Sequence, residues 1–389
     1  MRWCWQDPDW PQFRFRPERL AASERVFLKQ SGVIVGTVRH VPEEERMPAV
    51  VDLMCTEALK TSEIEGELLD RDSVQSSLRR QFGLQTDARR VAPAEQGMAL
   101  MLTDLYRRYA EPLTEPMLFQ WHRWVMQGRV DLPQTGAYRT HEGPMQVVSG
   151  PVHAPRVHFE APPSASVPEE MDRFVRWFNA TAPEGPQPLP AIARAGLAHL
   201  HLECIHPFED GNGRIGRAIA EKALAQGAGQ PSLTALSLMI QKRRTEYYRE
   251  LEASNKHLDA DAWLHWFGAL VLSAQQYSID WFDFLAAKTR LLDRMRGRLN
   301  ERQQKVLLRM LREGPEGFRG GLSAGNYRAI TGAPAATARR DLGQMVEIGA
   351  LRRTGQLKGT RYWLPFCGPR SGADGKPGDA DMPNGDGSS

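Results

Sequence analysis

Between residues 206 and 217 the chain reads His-Pro-Phe-Glu-Asp-Gly-Asn-Gly-Arg-Ile-Gly-Arg, its densest run of side chains able to do chemistry. His206, whose imidazole titrates near neutrality, can take a proton from an attacking hydroxyl. Asp210 can hold one Mg2+ that phosphate oxygens also ligate, the arrangement magnesium favours. Gly211, Asn212 and Gly213 let backbone N–H groups converge at the start of a helix, a ready anion site. On that helix Arg214, Arg217 and Glu221 fall at i, i+3 and i+7, on one face. Two guanidiniums beside a helix N-terminus suit successive phosphates of a polyphosphate. Pro207 stops the preceding helix and biases His206 towards extended backbone, while Phe208 is an apolar plug that pins the loop to the core.

Two other readings of these residues fail on context. Gly211, Gly213 and Gly216 have the GxGxxG spacing of a dinucleotide fingerprint, but no strand precedes them. The ribose-binding acid expected about 20 residues on is also missing, since Lys222 to Thr245 contain no Asp or Glu. A zinc site from His199, His201, Cys204 and His206 is disfavoured because His199 and His201 lie on different helix faces.

From His206 to Arg217 the sequence resembles the Fic family, whose core motif is HPFx(D/E)GNGRxxR, and the match is complete. The resemblance implies a helical Fic fold that transfers AMP from ATP to a hydroxyl of a target protein or of the chain itself. His206 would then be the base and Asp210 the Mg2+ ligand. Gly211, Asn212 and Gly213 would cradle the phosphates, and Arg214 and Arg217 would hold the β- and γ-phosphates. One class of the family carries an inhibitory (S/T)xxxE(G/N) motif, which Thr61, Glu65 and Gly66 match. By that resemblance Glu65 pairs with Arg217 and displaces the γ-phosphate; in some relatives this Glu also supports removal of AMP. Gly136-Ala137-Tyr138-Arg139 and a hairpin containing Gln146, Val147 and Val148 resemble the family's flap, which aligns a target segment by strand pairing. Tyr247 and Tyr248 stand where relatives have aromatics near adenine, and helix packing explains them equally well.

The elements that must position this motif are mostly helical. A pattern beginning at Pro48 puts Val50, Leu53, Met54 and Ala58 on one face and ends at Gly66. Glu63 and Glu65 sit at that helix end, where the dipole favours cations, so a carboxylate there is a candidate partner for an arginine elsewhere. Further helices are expected through Met98 to Tyr109, Leu118 to Val125, Pro168 to Phe178 and Ala193 to Cys204, then onward to about Asn300, with Asp259 capping the helix of Trp263. Met145 to Val148 and Arg156 to Phe159 can pair as a hairpin. Trp3, Trp5, Trp10, Phe13 and Phe15 suggest extended chain leaning on a core. Beyond Asn300, helices through Val306, Tyr327 and Leu342, a turn at Thr331 to Pro334 and two short strands spell a winged helix-turn-helix. The expected fold class is therefore mainly α: a helical Fic fold with a small β-hairpin flap plus a C-terminal winged helix. The expected domains are 1–85 (N-terminal, with the inhibitory helix), 86–299 (catalytic, with a helical extension), 300–367 (winged helix) and 368–389 (a disordered tail rich in Gly, Asp, Pro and Ser).

Composition excludes more than it selects. The 389 residues are 41% hydrophobic and 25% charged, an ordinary globular balance. Four scattered cysteines without CxxC spacing disfavour a disulfide scaffold or zinc ribbon. No signal peptide opens the chain and no apolar run approaches the roughly 20 residues that span a bilayer, so a cytoplasmic protein with no membrane partner is expected. The net charge of +3 hides an asymmetry: residues 300–367 hold 12 basic and 5 acidic side chains. Hence a second reading, a DNA-binding transcriptional regulator in which the Fic site is secondary. There Thr337, Arg339 and Arg340 would face a groove, and Arg352, Arg353, Lys358 and Arg361 phosphates. Candidate partners are thus ATP with Mg2+, a hydroxyl-bearing protein or the chain itself, DNA through 300–367, and a second copy in a homodimer.

Overall fold

The computed structural model describes residues 3–367 except 42, 87–88, 133, 152–154, 232, 316 and 319, with the side chains of 40, 43 and 358 also outside the description. The expected tail, 368–389, lies outside the described residues. The chain is mainly helical and divides into two compact units, Met1–Phe282 and Asp283–Ser389.

In chain order the first unit holds α1 (Pro17–His40), α2 (Glu43–Ile64), α3 (Arg71–Gln81), α4 (Pro93–Arg107) and α5 (Glu115–Val125). A hairpin of β1 (Gln146–Ser149) and β2 (Arg156–Glu160) follows, then α6 (Val167–Ala180), α7 (Ala191–Ile205), α8 (Asn212–Ala228), α9 (Leu236–Lys242) and α10 (Arg244–Ser254). Helix α11 (Asp261–Met295) runs across the boundary between the units.

The centre of the first unit is the pair α7 and α8. Helix α7 has no solvent face: it is mostly apolar and buried along nearly its whole length, its few polar side chains included. Small residues let the two helices meet closely. A Cβ at Gly216 would stand 2.8 Å from Glu203 Oε1 and 2.9 Å from His199 Nδ1, so the third glycine of the apparent dinucleotide fingerprint serves helix packing. Gly196 does the same on the other side, where a Cβ would meet Leu264 at 2.6 Å. The result is a rigid hairpin of helices whose connecting loop, 206–211, carries the motif.

Helix α2 starts a turn earlier than Pro48 suggests. Pro48 sits inside it, giving up one i→i−4 hydrogen bond within a helix otherwise held by its buried face. Its C-terminal end closes at Gly66, whose φ of +84° only glycine adopts without strain. The aromatic start is not an extended strand. It is a short 3-10 turn at Cys4–Gln6 followed by bends, with Trp3 edge-on to Phe159, and Trp10 and Phe13 edge-on to His201.

The second unit continues with α12 (Glu301–Leu311), α13 (Ala324–Thr331), α14 (Ala335–Glu347) and an antiparallel pair, β3 (Arg352–Thr354) with β4 (Arg361–Trp363). Its order of three helices and a hairpin is the one read from the sequence. Capping boxes at Asn300/Gln303 and Ser323/Asn326 set the starts of α12 and α13, and Gly332 at φ +72° ends α13. The core is Phe284, Val306, Leu307, Tyr327, Leu342, Met345 and Tyr362 among others. Asp341 is buried there, accepting from the Tyr327 hydroxyl at 2.9 Å and Arg302 Nε at 3.0 Å.

Candidate active site

The motif histidine sits at the end of α7 in left-handed backbone, φ 51° and ψ 60°. The preceding-proline rule favours extended chain, but the helix end wins: the His206 N–H donates to Leu202 O at 2.8 Å and caps the last turn. Arg139 fixes that conformation from beneath. Almost wholly buried, it donates to the carbonyls of His206 (2.8 Å), Ile205 (3.3 Å) and Pro162 (2.5 Å) and to the Ser164 hydroxyl (2.8 Å). Burial pulls its pKa down to about 10, which leaves it a cation at neutral pH. Burial, then the Arg139 charge, press the His206 pKa from 6.5 down to about 4. The imidazole is therefore neutral at pH 7, and its Nδ1 is buried without a partner. A neutral histidine can accept a proton.

The loop after His206 is clamped by groups far away in sequence. Phe208 is fully buried and stacks on the His122 ring, with centroids 4.2 Å apart and planes 8° from parallel. The Asn212 amide holds the Phe208 backbone both ways, accepting from its N–H (2.9 Å) and donating to its O (2.8 Å). Gly136 N–H donates to His122 Nδ1 at 2.7 Å, so the ring proton lies on Nε2 and is donated to Asp210 O at 3.1 Å. Burial keeps His122 in that neutral state, lowering its pKa to about 4. The Asp210 carboxylate is more open: Oδ1 accepts from Gly211 N–H at 2.6 Å, and Oδ2 is paired with Arg129 Nη1 at 2.6 Å.

Helix α8 begins at Asn212, with Gly211 in left-handed backbone before it. The first-turn N–H groups of Asn212, Gly213 and Arg214 have no acceptor within the helix and point their positive ends at the mouth of the loop. Arg214 and Arg217 are both buried on this helix. The end of α2 meets them. Arg217 donates through Nε to Thr61 Oγ1 (2.7 Å), and through Nη2 to Thr61 O (2.9 Å) and to Glu65 Oε1 (2.7 Å). Burial works against its charge, yet Glu65 and its other partners outweigh that and raise its pKa. Arg214 Nη1 is paired with Glu67 Oε2 at 2.5 Å. Glu63, the other acid at this helix end, turns away to Lys60 (2.5 Å) and Gln241 (3.0 Å).

Two buried donors here have no partner, Arg214 Nε and Arg217 Nη1. At Gly213 a Cβ would come within 2.3 Å of Glu65 Oε1 and 3.0 Å of Arg217 Nη1. A glycine is thus required for a carboxylate to lie in this cradle, and the unpartnered donors suit an anion with several oxygens.

Around this centre the remaining expected residues separate. Tyr247 is buried, its hydroxyl 2.8 Å from His199 Nε2, so packing accounts for it. Tyr248 is the exposed member of the pair and donates to Ile64 O at the end of α2 (3.3 Å). Strand β1, with Gln146, Val147 and Val148, is exposed throughout and pairs only with β2 among the described residues, so its other edge is open. Glu203 lies beside Arg217 and Glu65; burial, then the Glu65 charge, raise its pKa to about 8. In the second unit Arg339, Arg340 and Arg353 are exposed and Thr337 and Arg361 partly so, while Arg352 donates to Cys367 O. The Lys358 side chain lies outside the description.

Arg139, His122, Arg129 and Glu67 were not singled out for these roles by the sequence. Only Arg139 had a local signal, as the last residue of the flap-like Gly136 to Arg139 run.

Comparison with known proteins finds a family match that spans the residues of this site. Residues 112–224 match the Fic/DOC family, and residues 3–84 match a domain of unknown function (DUF4172). The chain therefore carries a Fic/DOC domain. It is similar to proteins named protein adenylyltransferase Fic in Drosophila erecta and Drosophila melanogaster, 34% and 33% identical over 139 residues. That similarity takes in 36% of this chain and 24% of each fly protein, so the chain spans only about a quarter of their length. A Fic family protein from Desulfovibrio desulfuricans G20 shares the fold at 21% identity, with a TM-score of 0.50 over 92% of this chain and 99% of that one. Among the described residues no helix is long and apolar enough to cross a membrane.

Proposed function

We propose that the chain is a protein adenylyltransferase held in check by its own α2 helix. The observation that carries this reading is the arrangement at α8: a neutral His206 beside a helix N-terminus, with two buried arginines that retain unpartnered donors. The acceptor hydroxyl of a target protein, or of the chain itself, attacks the α-phosphorus of ATP. The new O–P bond forms as the bond to the β-phosphate's bridging oxygen breaks, His206 takes the hydroxyl proton, and pyrophosphate leaves. The first-turn N–H groups of Asn212 and Gly213, with Arg214 and Arg217, hold the phosphates and balance charge as it moves towards the leaving group. Tyr248 borders the base-binding side, and the open edge of β1 pairs with the target segment. In this reading residues 1–85 supply the inhibitory helix, 86–299 the catalytic domain and 300–367 a winged helix.

Asp210 would hold Mg2+, which when bound neutralises phosphate charge. Its Oδ2 is held by Arg129 in an ion pair open to solvent. Replacing Arg129 by alanine is therefore expected to lower the Mg2+ concentration needed for half-maximal nucleotide binding, by about two- to fivefold for an exposed pair. Calorimetric titration of nucleotide at several Mg2+ concentrations measures this, and an unchanged requirement contradicts it.

The pH dependence follows from His206. Its pKa of about 4 places the loss of the base well below the usual 6.5. The acid limb of kcat/KM, which reports the free enzyme, is expected between about pH 4 and 5, with no loss from pH 8 to 6. A limb at 6.5 would mean that the histidine is solvated when it acts. The reading as a whole is tested by mass spectrometry of the protein after incubation with ATP and Mg2+, which should find one adenylyl group on a hydroxyl side chain.

A further inference from the structure

Arg214 and Arg217 are each met by a carboxylate from the same turn. Gly66 reverses the chain at the end of α2, and the backbone there is tied down: the N–H groups of both Glu65 and Glu67 donate to Ser62 O at 3.0 Å. Glu65 and Glu67 consequently flank one glycine and reach two arginines that lie one turn apart on α8. The exposures are matched as well. The Arg214 and Arg217 side chains are 3% and 2% exposed, against 33% and 28% for Glu67 and Glu65. Both pairs thus join a buried guanidinium to a carboxylate at the solvent boundary, a geometry in which the acid can leave without exposing the base.

We propose that Glu67 is a second latch residue, which occupies Arg214 as Glu65 occupies Arg217, and that nucleotide binds tightly only when both carboxylates yield. The proposal rests on reading these arginines as phosphate ligands. Arg214 presents three nitrogens: Nη1 is filled by Glu67, Nη2 lies 3.9 Å from Asp210 Oδ1, and Nε is buried without a partner. An incoming phosphate can meet Nε and Nη2 side-on while Glu67 still holds Nη1, but the Glu67 charge opposes it there and the end-on fork of Nη1 and Nη2 stays closed until Glu67 withdraws. Because Gly66 is the only residue between the two acids, the turn moves as a unit, and removing one carboxylate weakens the hold of the other.

The same anchoring makes an anion other than ATP informative. Tripolyphosphate offers successive phosphates without adenine or a transferable adenylyl group, so it reads the arginine latch alone. Calorimetric titrations of wild type, Glu67→Gln, Glu65→Gly and the double variant with tripolyphosphate and with ATP form the test. Glu67→Gln keeps the side chain's size and its turn, so the fold is retained. The expected result is roughly tenfold tighter binding of both ligands by Glu67→Gln, the usual size of a charge-assisted pair at a partly buried site. The double variant should bind more tightly than either single variant. Hydrogen exchange at residues 61–67 in the ligand-free protein should also accelerate in Glu67→Gln. If Glu67→Gln binds both ligands as wild type does, in the native and the Glu65→Gly background alike, the second latch is overturned. Tighter tripolyphosphate binding without any adenylyl transfer in the same variants would instead uphold the latch and overturn the proposed reaction.

Discussion

Replacing His206 by alanine is expected to reduce AMP transfer by about 100- to 10,000-fold, the range that a positioned proton acceptor contributes. Nucleotide affinity should stay within about threefold of wild type, because the phosphates are held by α8 and not by the imidazole. The backbone at 206 needs a control, since its φ of 51° is left-handed and alanine is strained there. Asparagine tolerates that conformation and cannot act as a base, so His206→Asn should lose activity to the same extent while melting like wild type. If alanine lowers activity but asparagine restores it, the position matters for the backbone and not for proton transfer. Arg139, which clamps the His206 carbonyl from below, makes the strain affordable.

Replacing Glu65 by glycine has the opposite sign on activity. It frees one of the two N–H bonds of Arg217 Nη2, the other staying on Thr61 O, and opens the cradle over Gly213, where the carboxylate now lies. Transfer is expected to rise by at least about tenfold, corresponding to one lost charge-assisted contact competing with the γ-phosphate. Stability should move the other way. Removing one partner of a buried ion pair costs about 3–5 kcal/mol when nothing replaces it. Here Glu65 is at the solvent boundary and Thr61 still accepts from Arg217 through both its hydroxyl and its carbonyl, so a loss of about 1–2 kcal/mol is the better expectation. Thermal unfolding without and with ATP checks both signs. The variant should melt below wild type alone and regain more than wild type does when nucleotide binds. Equal activity with a lower melting temperature would make the Glu65–Arg217 pair merely structural.

How much of this was legible in the sequence depended on distance along the chain. The His206 to Arg217 run is contiguous, so base, phosphate cradle and arginines could be read together. Glu65 was legible in two ways: an acid at the C-terminal end of a helix contradicts the dipole and invites a partner, and Thr61, Glu65 and Gly66 match the inhibitory motif of the resembled family. Glu67 gave no such signal, lying three residues beyond the end of the helix, and its partner is 147 residues away. His122, Arg129 and Arg139 are similarly remote from the loop they hold, and only Arg139, closing the flap-like run from Gly136, is marked locally. The His206 backbone was misjudged because the preceding-proline rule describes an isolated dipeptide and ignores the helix that must be capped. Helix α1 was overlooked for a different reason. Among the described residues its buried apolar side chains are Leu20, Phe27 and Ile34, one every two turns and joined by the polar Ser31, while Val26, Leu28 and Val33 are exposed and blur the period. The aromatic N-terminus misled through alternation, which in fact belongs to a series of bends whose rings lodge against α7 and β2.

The buried acid Glu203 also belongs to what only the folded chain reveals. Its carboxyl Oε1 has no partner and its pKa is raised to about 8 with Glu65 nearby, so at neutral pH it stays largely protonated while the latch is closed. With the Arg217 charge already matched by Glu65, and Thr61 accepting from its Nε and Nη2, a second carboxylate charge there is not needed. The site is thus balanced electrostatically in its closed form, and polyphosphate must replace that balance with its own charge.

The central claim is that a hydroxyl attacks the α-phosphorus of ATP at His206, and position-specific labelling tests it most directly. Glu65→Gly protein is incubated with Mg2+ and ATP carrying the label at either the α- or the γ-phosphate, with His206→Ala in the same background as the control. The account predicts that α-label becomes fixed to protein, that γ-label leaves as pyrophosphate, and that the histidine substitution abolishes both. Fixation of γ-label with release of ADP would contradict it.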